Sequence, residues 1–131
     1  MDHDVERRAL QSAVAMAALL PVTAGWLGIL GGPQYLSLYG PAQSLSHAAY
    51  LSGLLLGIGL AFWSTIPDIE KEGRLFGLLC AIVMGGGLAR AFVAMRLGVL
   101  SPGIAGPLLM ELGVTPLLWL WQRRLAQDMK R

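Results

Sequence analysis

The chain has 131 residues, of which 55% are hydrophobic and only 14% charged, with a formal net charge of +2 and a mean hydropathy of +0.59. A soluble domain carries roughly 25% charged residues, so this balance excludes an ordinary water-soluble core and points to a chain that uses lipid as its solvent. The composition therefore predicts an all-α fold, a single domain over 1–131 built as an integral membrane bundle of four transmembrane helices.

In chain order, the apolar runs are Ala9 to Leu30, Leu45 to Ile66, Leu75 to Leu97 and Ile104 to Trp121. At about 1.5 Å rise per residue each spans roughly 27–35 Å, close to the hydrocarbon thickness of a bilayer. None alternates with the two-residue period of a barrel strand, so helices are the way to satisfy the backbone in lipid. The first run is too long for the apolar part of a signal peptide and follows a head carrying Asp2, Asp4 and Glu6, so it is expected to be retained. The connection GGPQYLSLYGPAQS (31–44) is rich in Gly and Pro, whereas PDIEKEGR (67–74) is short and charged and is expected to start a helix behind Pro67 and Asp68.

Arg7, Arg8, Lys71, Arg74, Arg123, Arg124, Lys130 and Arg131 fall at the head, in the second connection or in the tail, three places that share one side of a four-helix meander. The positive-inside rule then places both termini in the cytoplasm. A pI near 9.0 is accounted for by this topology signal, and nucleic acid is not an expected partner. Trp63, Trp119 and Trp121 near one end, with Trp26, Tyr35 and Tyr39 near the other, fit interfacial belts. The single cysteine, Cys80, excludes an intrachain disulfide, and no metal or other cofactor is expected.

Small residues mark where helices in lipid approach closely: Gly53 and Gly57 on the second helix, and Gly77, Ala81, Gly85 and Ala89 on the third, widened by Gly86 and Gly87. Pro21 and Pro116 interrupt the first and fourth helices, freeing carbonyls within reach of Thr23, Thr115 or water. GIGLAF (57–62) and GGGLAR (85–90) echo one another, a short repeat of residues that recur in membrane helices.

The most informative residues are Arg90 and Glu111. Each lies about ten residues from the middle of the 98–103 connection, so two opposite charges sit at one depth, roughly 12 Å inside the span at 1.5 Å per residue. Inserting either alone costs on the order of 2.5–3.5 kcal/mol, which favours their pairing. Arg96, close to the helix end, is expected to snorkel outward as an anchor. Gln43, His47, Tyr50 and Gly57 share a face of the second helix, so Arg90, Glu111, His47, Tyr50 and Gln43 are the candidate ligand-binding residues for a small amphipathic or anionic molecule, or a lipid. The competing reading is a structural ion pair in an accessory subunit, with a second copy or a larger membrane protein as partner. Enzyme chemistry finds little support, because no nucleophile and base stand at a workable spacing and no phosphate loop or HExxH pattern occurs.

Several segments, ERRALQ, LSGLLLGIGLAFW, the charged P-x-I-x connection, GGGLARAF and MELGVTPLLWLWQ, resemble the small bacterial membrane proteins grouped as domain-of-unknown-function family 4345, over roughly residues 6–125. The resemblance implies four helices in an inner membrane and no assigned activity, and it lends weight to Arg90 and Glu111. Small multidrug exporters share the size, but their glutamate sits in the first helix, where this chain has only Gln11, Ser12 and Thr23. Dual-topology fluoride channels also use Gly-rich helices with an arginine, but their asparagine and phenylalanine signatures are missing here and the charge bias opposes dual insertion.

Overall fold

The computed structural model describes residues 2–30 and 42–131, with the side chains of 42–44 left aside, so the 31–41 part of the long connection, including Tyr35 and Tyr39, and the side chain of Gln43 lie outside the described residues. The described residues form four helices, each long and apolar enough to cross a membrane: α1 (His3–Leu30), α2 (Ala42–Thr65), α3 (Gly73–Leu97) and α4 (Pro102–Asp128). They divide into two compact units, one of residues 14–64 and one of residues 1–13 with 65–131.

The helix ends follow from local chemistry, and they extend the expected spans. α1 begins at His3 rather than at Ala9, because the carbonyl of Asp2 accepts from the amides of Val5 and Glu6. Asp4 and Glu6 also meet the positive end of the helix dipole in its first turn. α2 stops at Thr65, just ahead of Ile66 and Pro67, since the residue before a proline is pushed out of the helical region. α3 ends on Gly98, which adopts φ 63° and returns its amide to the carbonyls of Ala94 and Met95, a left-handed cap that glycine adopts without a side-chain clash. α4 starts with Pro102 in the first turn behind Ser101, where a missing N–H costs nothing, and continues past Trp121 through the charged tail, burying Gln122 and Leu125.

The 66–72 connection corrects one expectation. No helix starts behind Pro67 and Asp68; a single turn forms, with the amides of Lys71 and Glu72 on the Asp68 carbonyl, and α3 begins at Gly73. The physical reason is that side chains from other elements take the carbonyls of this segment. Arg7 Nη2 donates to Pro67 O at 2.6 Å, Gln11 Nε2 to Ile66 O at 2.7 Å and Gln122 Nε2 to Ile69 O at 2.8 Å. Arg7 Nε also pairs with Glu70 at 2.8 Å, and Trp121 donates to Glu6 at 3.1 Å. Polar groups on α1 and α4 thus clamp a charged turn whose Ile69 is fully buried.

Within residues 14–64, α1 and α2 run antiparallel: Trp63 Nε1 donates to Ala15 O at 3.2 Å, Gly59 meets Val22, Gly25 meets Leu56 and Gly28 meets Ser52. The face of α2 turned to α1 therefore carries Ser52, Leu56, Gly59 and Trp63. Gly53 and Gly57 lie off it, and a Cβ on either would meet nothing within 4 Å. The glycine-spaced step read from the sequence is not where these two helices touch, because the bulky contacts at Leu56 and Trp63 set the rotation of α2.

Within the other unit, α3 and α4 are also antiparallel, with Gly73 against Gln122, Gly77 against Trp119 and Gly87 against Glu111 and Leu112. Of the predicted Gly77, Ala81, Gly85 and Ala89 stripe, Gly77 faces α4 while Ala81, Gly85 and Ala89 are exposed, as is the flanking Gly86, and Gly85 and Gly86 have open space where a side chain would be. Gly87, buried, is the glycine of close approach: a Cβ there would come within 2.8 Å of Glu111 Cβ and 3.0 Å of the Leu112 side chain.

Candidate functional site

The site is built on a local distortion of α4. Residues Met110–Val114 form a π turn between two α-helical stretches, Pro102–Leu109 and Thr115–Asp128. Pro116 explains it: a proline ring clashes with the carbonyl four residues back and brings no N–H, so the turn ahead of it widens. The Thr115 amide reaches back five residues to Met110 O, and its hydroxyl donates to the same carbonyl at 2.8 Å. On α1 the threonine beside Pro21 behaves differently, with Thr23 Oγ1 donating to Leu19 O at 2.6 Å and to Leu20 O at 3.2 Å. Neither hydroxyl reaches the carbonyl its proline frees, Ala17 or Leu112, because a threonine in a helix bonds its own carbonyls one turn back, not the proline's.

Glu111 sits in the π turn and Arg90 one turn beyond Gly87 on α3. The guanidinium grips the carboxylate with two parallel bonds, Nε to Oε2 and Nη2 to Oε1, both 3.1 Å. This fork is the strongest geometry an arginine offers a carboxylate. The G-G-x-x-R spacing thus acquires a reason: Gly87 admits the backbone of the π turn, and Arg90, three residues on and on the same face, meets the acid that the turn presents. The pair is unequal in cover, with 44% of the Arg90 side chain exposed and 19% of Glu111. Two of the five guanidinium N–H groups are used among the described residues, leaving three for another acceptor.

His47 and Tyr50, the other candidate residues, are exposed on α2 within residues 14–64, away from its contact with α1. Gln43 belongs to the first turn of α2, and its side chain is outside the described set. Arg96 lies over the Phe92 ring at 5.8 Å from its centroid, a cation–π contact on its own helix.

Two functional features escape a reading of the sequence. The π turn has a local signal in Thr115-Pro116 behind Gly113, which a strict 3.6-residue count overlooks. The clamp formed by Arg7, Gln11 and Gln122 joins residues more than fifty positions apart, and only the polar character of Gln11 and Gln122 inside apolar stretches hints at it.

No curated protein and no solved structure matches this chain. The family model described as domain of unknown function DUF4345 matches residues 9–122, a stretch that contains the Gly87–Arg90 turn, the π turn with Glu111 and the clamping Gln122. The chain therefore belongs to the DUF4345 family.

Proposed function

We propose that this protein is a multi-pass inner-membrane protein, with its termini in the cytoplasm, that binds or moves a small amphipathic or anionic molecule, or a lipid, at the Arg90–Glu111 pair. The observation that carries the reading is the state of Arg90. It is anchored bidentately on Glu111, so its position is held, yet nearly half of its side chain is open and, among the described residues, three N–H groups have no partner and can bond a carboxylate or phosphate. A charge pair this deep in an apolar span is expensive, and π turns concentrate where a helix presents a functional side chain.

A second reading has its own support: Gly53, Gly57, Gly85 and Gly86 leave open surface on α2 and α3, the kind of surface against which another helix packs closely. On that reading the pair pins α3 to α4 in a subunit that docks on a second copy or on a larger membrane protein.

Native mass spectrometry of the protein in mild detergent, alongside Arg90→Ala and Glu111→Gln, separates the two. A discrete retained mass that vanishes in folded Arg90→Ala is the expected result. No retained mass in any of the three, with both variants losing thermal stability in parallel, overturns the binding reading in favour of the structural one.

A further inference from the structure

At the opposite end of the α3–α4 pair, a cavity of about 530 Å³ opens between the start of α3 and the last turns of α4. Its wall is basic, with Lys71, Arg74, Arg123 and Lys130 around Trp119 and Gln122. The one carboxylate on that wall, Glu70, is held by Arg7 at 2.8 Å, so it does little to offset the positive charge. Lys71 touches Asp68 at 3.0 Å, an exposed pair of little strength. The bond to Asp68, and then its charge, hold the Lys71 pKa above the usual lysine value, so the ammonium stays charged at any physiological pH. Arg74 and Lys130 have no carboxylate within 4 Å among the described residues.

Three further observations give this charge a chemical address. The start of α3, Gly73 and Arg74, lines the cavity, and no side chain caps the amides there, so the positive end of the helix dipole faces the same space. Arg123 stacks on Trp119 at 4.9 Å from the ring centroid, which holds the guanidinium in place with its N–H edge available. Gln122 is fully buried with Nε2 spent on Ile69 O, while its Oε1 has no hydrogen-bond partner among the described residues. A buried acceptor in that condition calls for a donor.

We infer that this cavity binds a phosphate ester whose alcohol part carries a hydroxyl, the chemistry of a glycerol phosphate. The phosphate oxygens lie among Arg74, Arg123, Lys130 and the α3 amides, and the hydroxyl donates to Gln122 Oε1. Basic recesses between transmembrane helices suit phospholipid headgroups on these grounds, and Trp119 is a side chain that favours the bilayer interface. The same chemistry belongs to a free ester in solution. This inference does not rest on the Arg90–Glu111 reading.

The test uses the full chain in zwitterionic detergent, with binding followed by native mass spectrometry and thermal unfolding. The probes are short-chain phosphatidylglycerol, phosphatidylmethanol and phosphatidylcholine, and glycerol 1-phosphate. Phosphatidylglycerol should bind at least tenfold tighter than phosphatidylcholine, and Arg74→Gln with Arg123→Gln should weaken it tenfold or more. Gln122→Leu should erase the preference for the glycerol over the methanol headgroup, which has equal charge and no hydroxyl. Should the double variant not fold, Lys130→Gln on the exposed tail should lower affinity severalfold, with a shallower salt dependence than the parent. Arg96→Gln, which removes a cation outside the cavity lining, should bind as the parent does. A glycerol 1-phosphate adduct that displaces the lipid assigns the site to a soluble ester, and a lipid adduct that glycerol 1-phosphate leaves intact assigns it to the headgroup. Equal binding of phosphatidylcholine and phosphatidylglycerol overturns the inference, as does undiminished phosphatidylglycerol binding in both cationic variants.

Discussion

In the 14–64 pair the second glycine of GIGLAF, Gly59, lies against Val22 and the ring of Pro21; in the α3–α4 pair the third glycine of GGGLAR, Gly87, lies against Glu111 and Leu112, upstream of Pro116. Three residues after each glycine stands Phe62 in one pair and Arg90 in the other. The same packing device, a glycine on one helix facing a proline-bearing helix, is apolar in the first pair and charged in the second. The first proline also leaves α1 in α geometry, while the second is accompanied by a π turn that carries the acid. The comparison teaches that close approach is supplied by one residue and chemistry by another a turn away, so the two can be altered separately.

The largest expected effect breaks the charged side of that comparison. Glu111→Gln strands Arg90 in an apolar span and should destabilise the protein by about 3–5 kcal/mol. Arg90→Gln combined with Glu111→Gln should recover a large part of the loss, which a double-mutant cycle of reversible unfolding in mixed micelles would read. Next come the contact glycines. Gly25→Ala places a methyl 2.7–2.8 Å from the backbone of Leu56, and Gly87→Ala places one 2.8 Å from Glu111 Cβ. Each should cost about 1–3 kcal/mol by overpacking, with Gly25 the worse because backbone cannot step aside. Thermal unfolding of both variants checks the order.

A smaller effect sharpens the contrast between the prolines. Pro116→Ala lets the turn return to α geometry and withdraws Glu111 from Arg90, so the coupling between those residues should fall by about 1 kcal/mol in the same cycle, whereas Pro21→Ala should leave it unchanged. The smallest effect belongs to Gly53→Ala and Gly57→Ala, which have open space around them and should shift monomer stability by less than about 0.5 kcal/mol. Weakened self-association of those two variants by analytical ultracentrifugation would favour the docking reading over the ligand-binding one.

The four spans were legible because each is a long apolar run, and Arg90 and Glu111 stood out because charge inside such a run needs a cause. Their helix partners were less legible. Small residues tell where a helix can be approached, but Gly53 and Gly57 show that the rotation of α2 is decided by the large side chains Leu56 and Trp63 on the competing face. Gly87 was visible as one of three adjacent glycines, and only its contact with the π turn distinguishes it from Gly85 and Gly86. The clamp on the 66–72 connection was hidden for a different reason: its acceptors are backbone carbonyls, which every sequence has, and its donors come from residues far away in the chain.

The π turn has a bearing on how the rest of α4 is numbered into faces. One extra residue in a helix advances the phase of everything after it by roughly 100°, the angle between successive residues. Trp119, Gln122, Arg123 and Leu125 therefore lie about a quarter-turn away from where a helical wheel drawn from Pro102 would put them. Glu111, which pairs with Arg90, and the later α4 residues, Gln122 on the charged turn and Trp119 and Arg123 at the basic cavity, share one register, set between Met110 and Val114. Deleting the single residue Gly113 would remove the phase step, leaving Arg90 facing one half of the helix or the clamp facing the other, but not both.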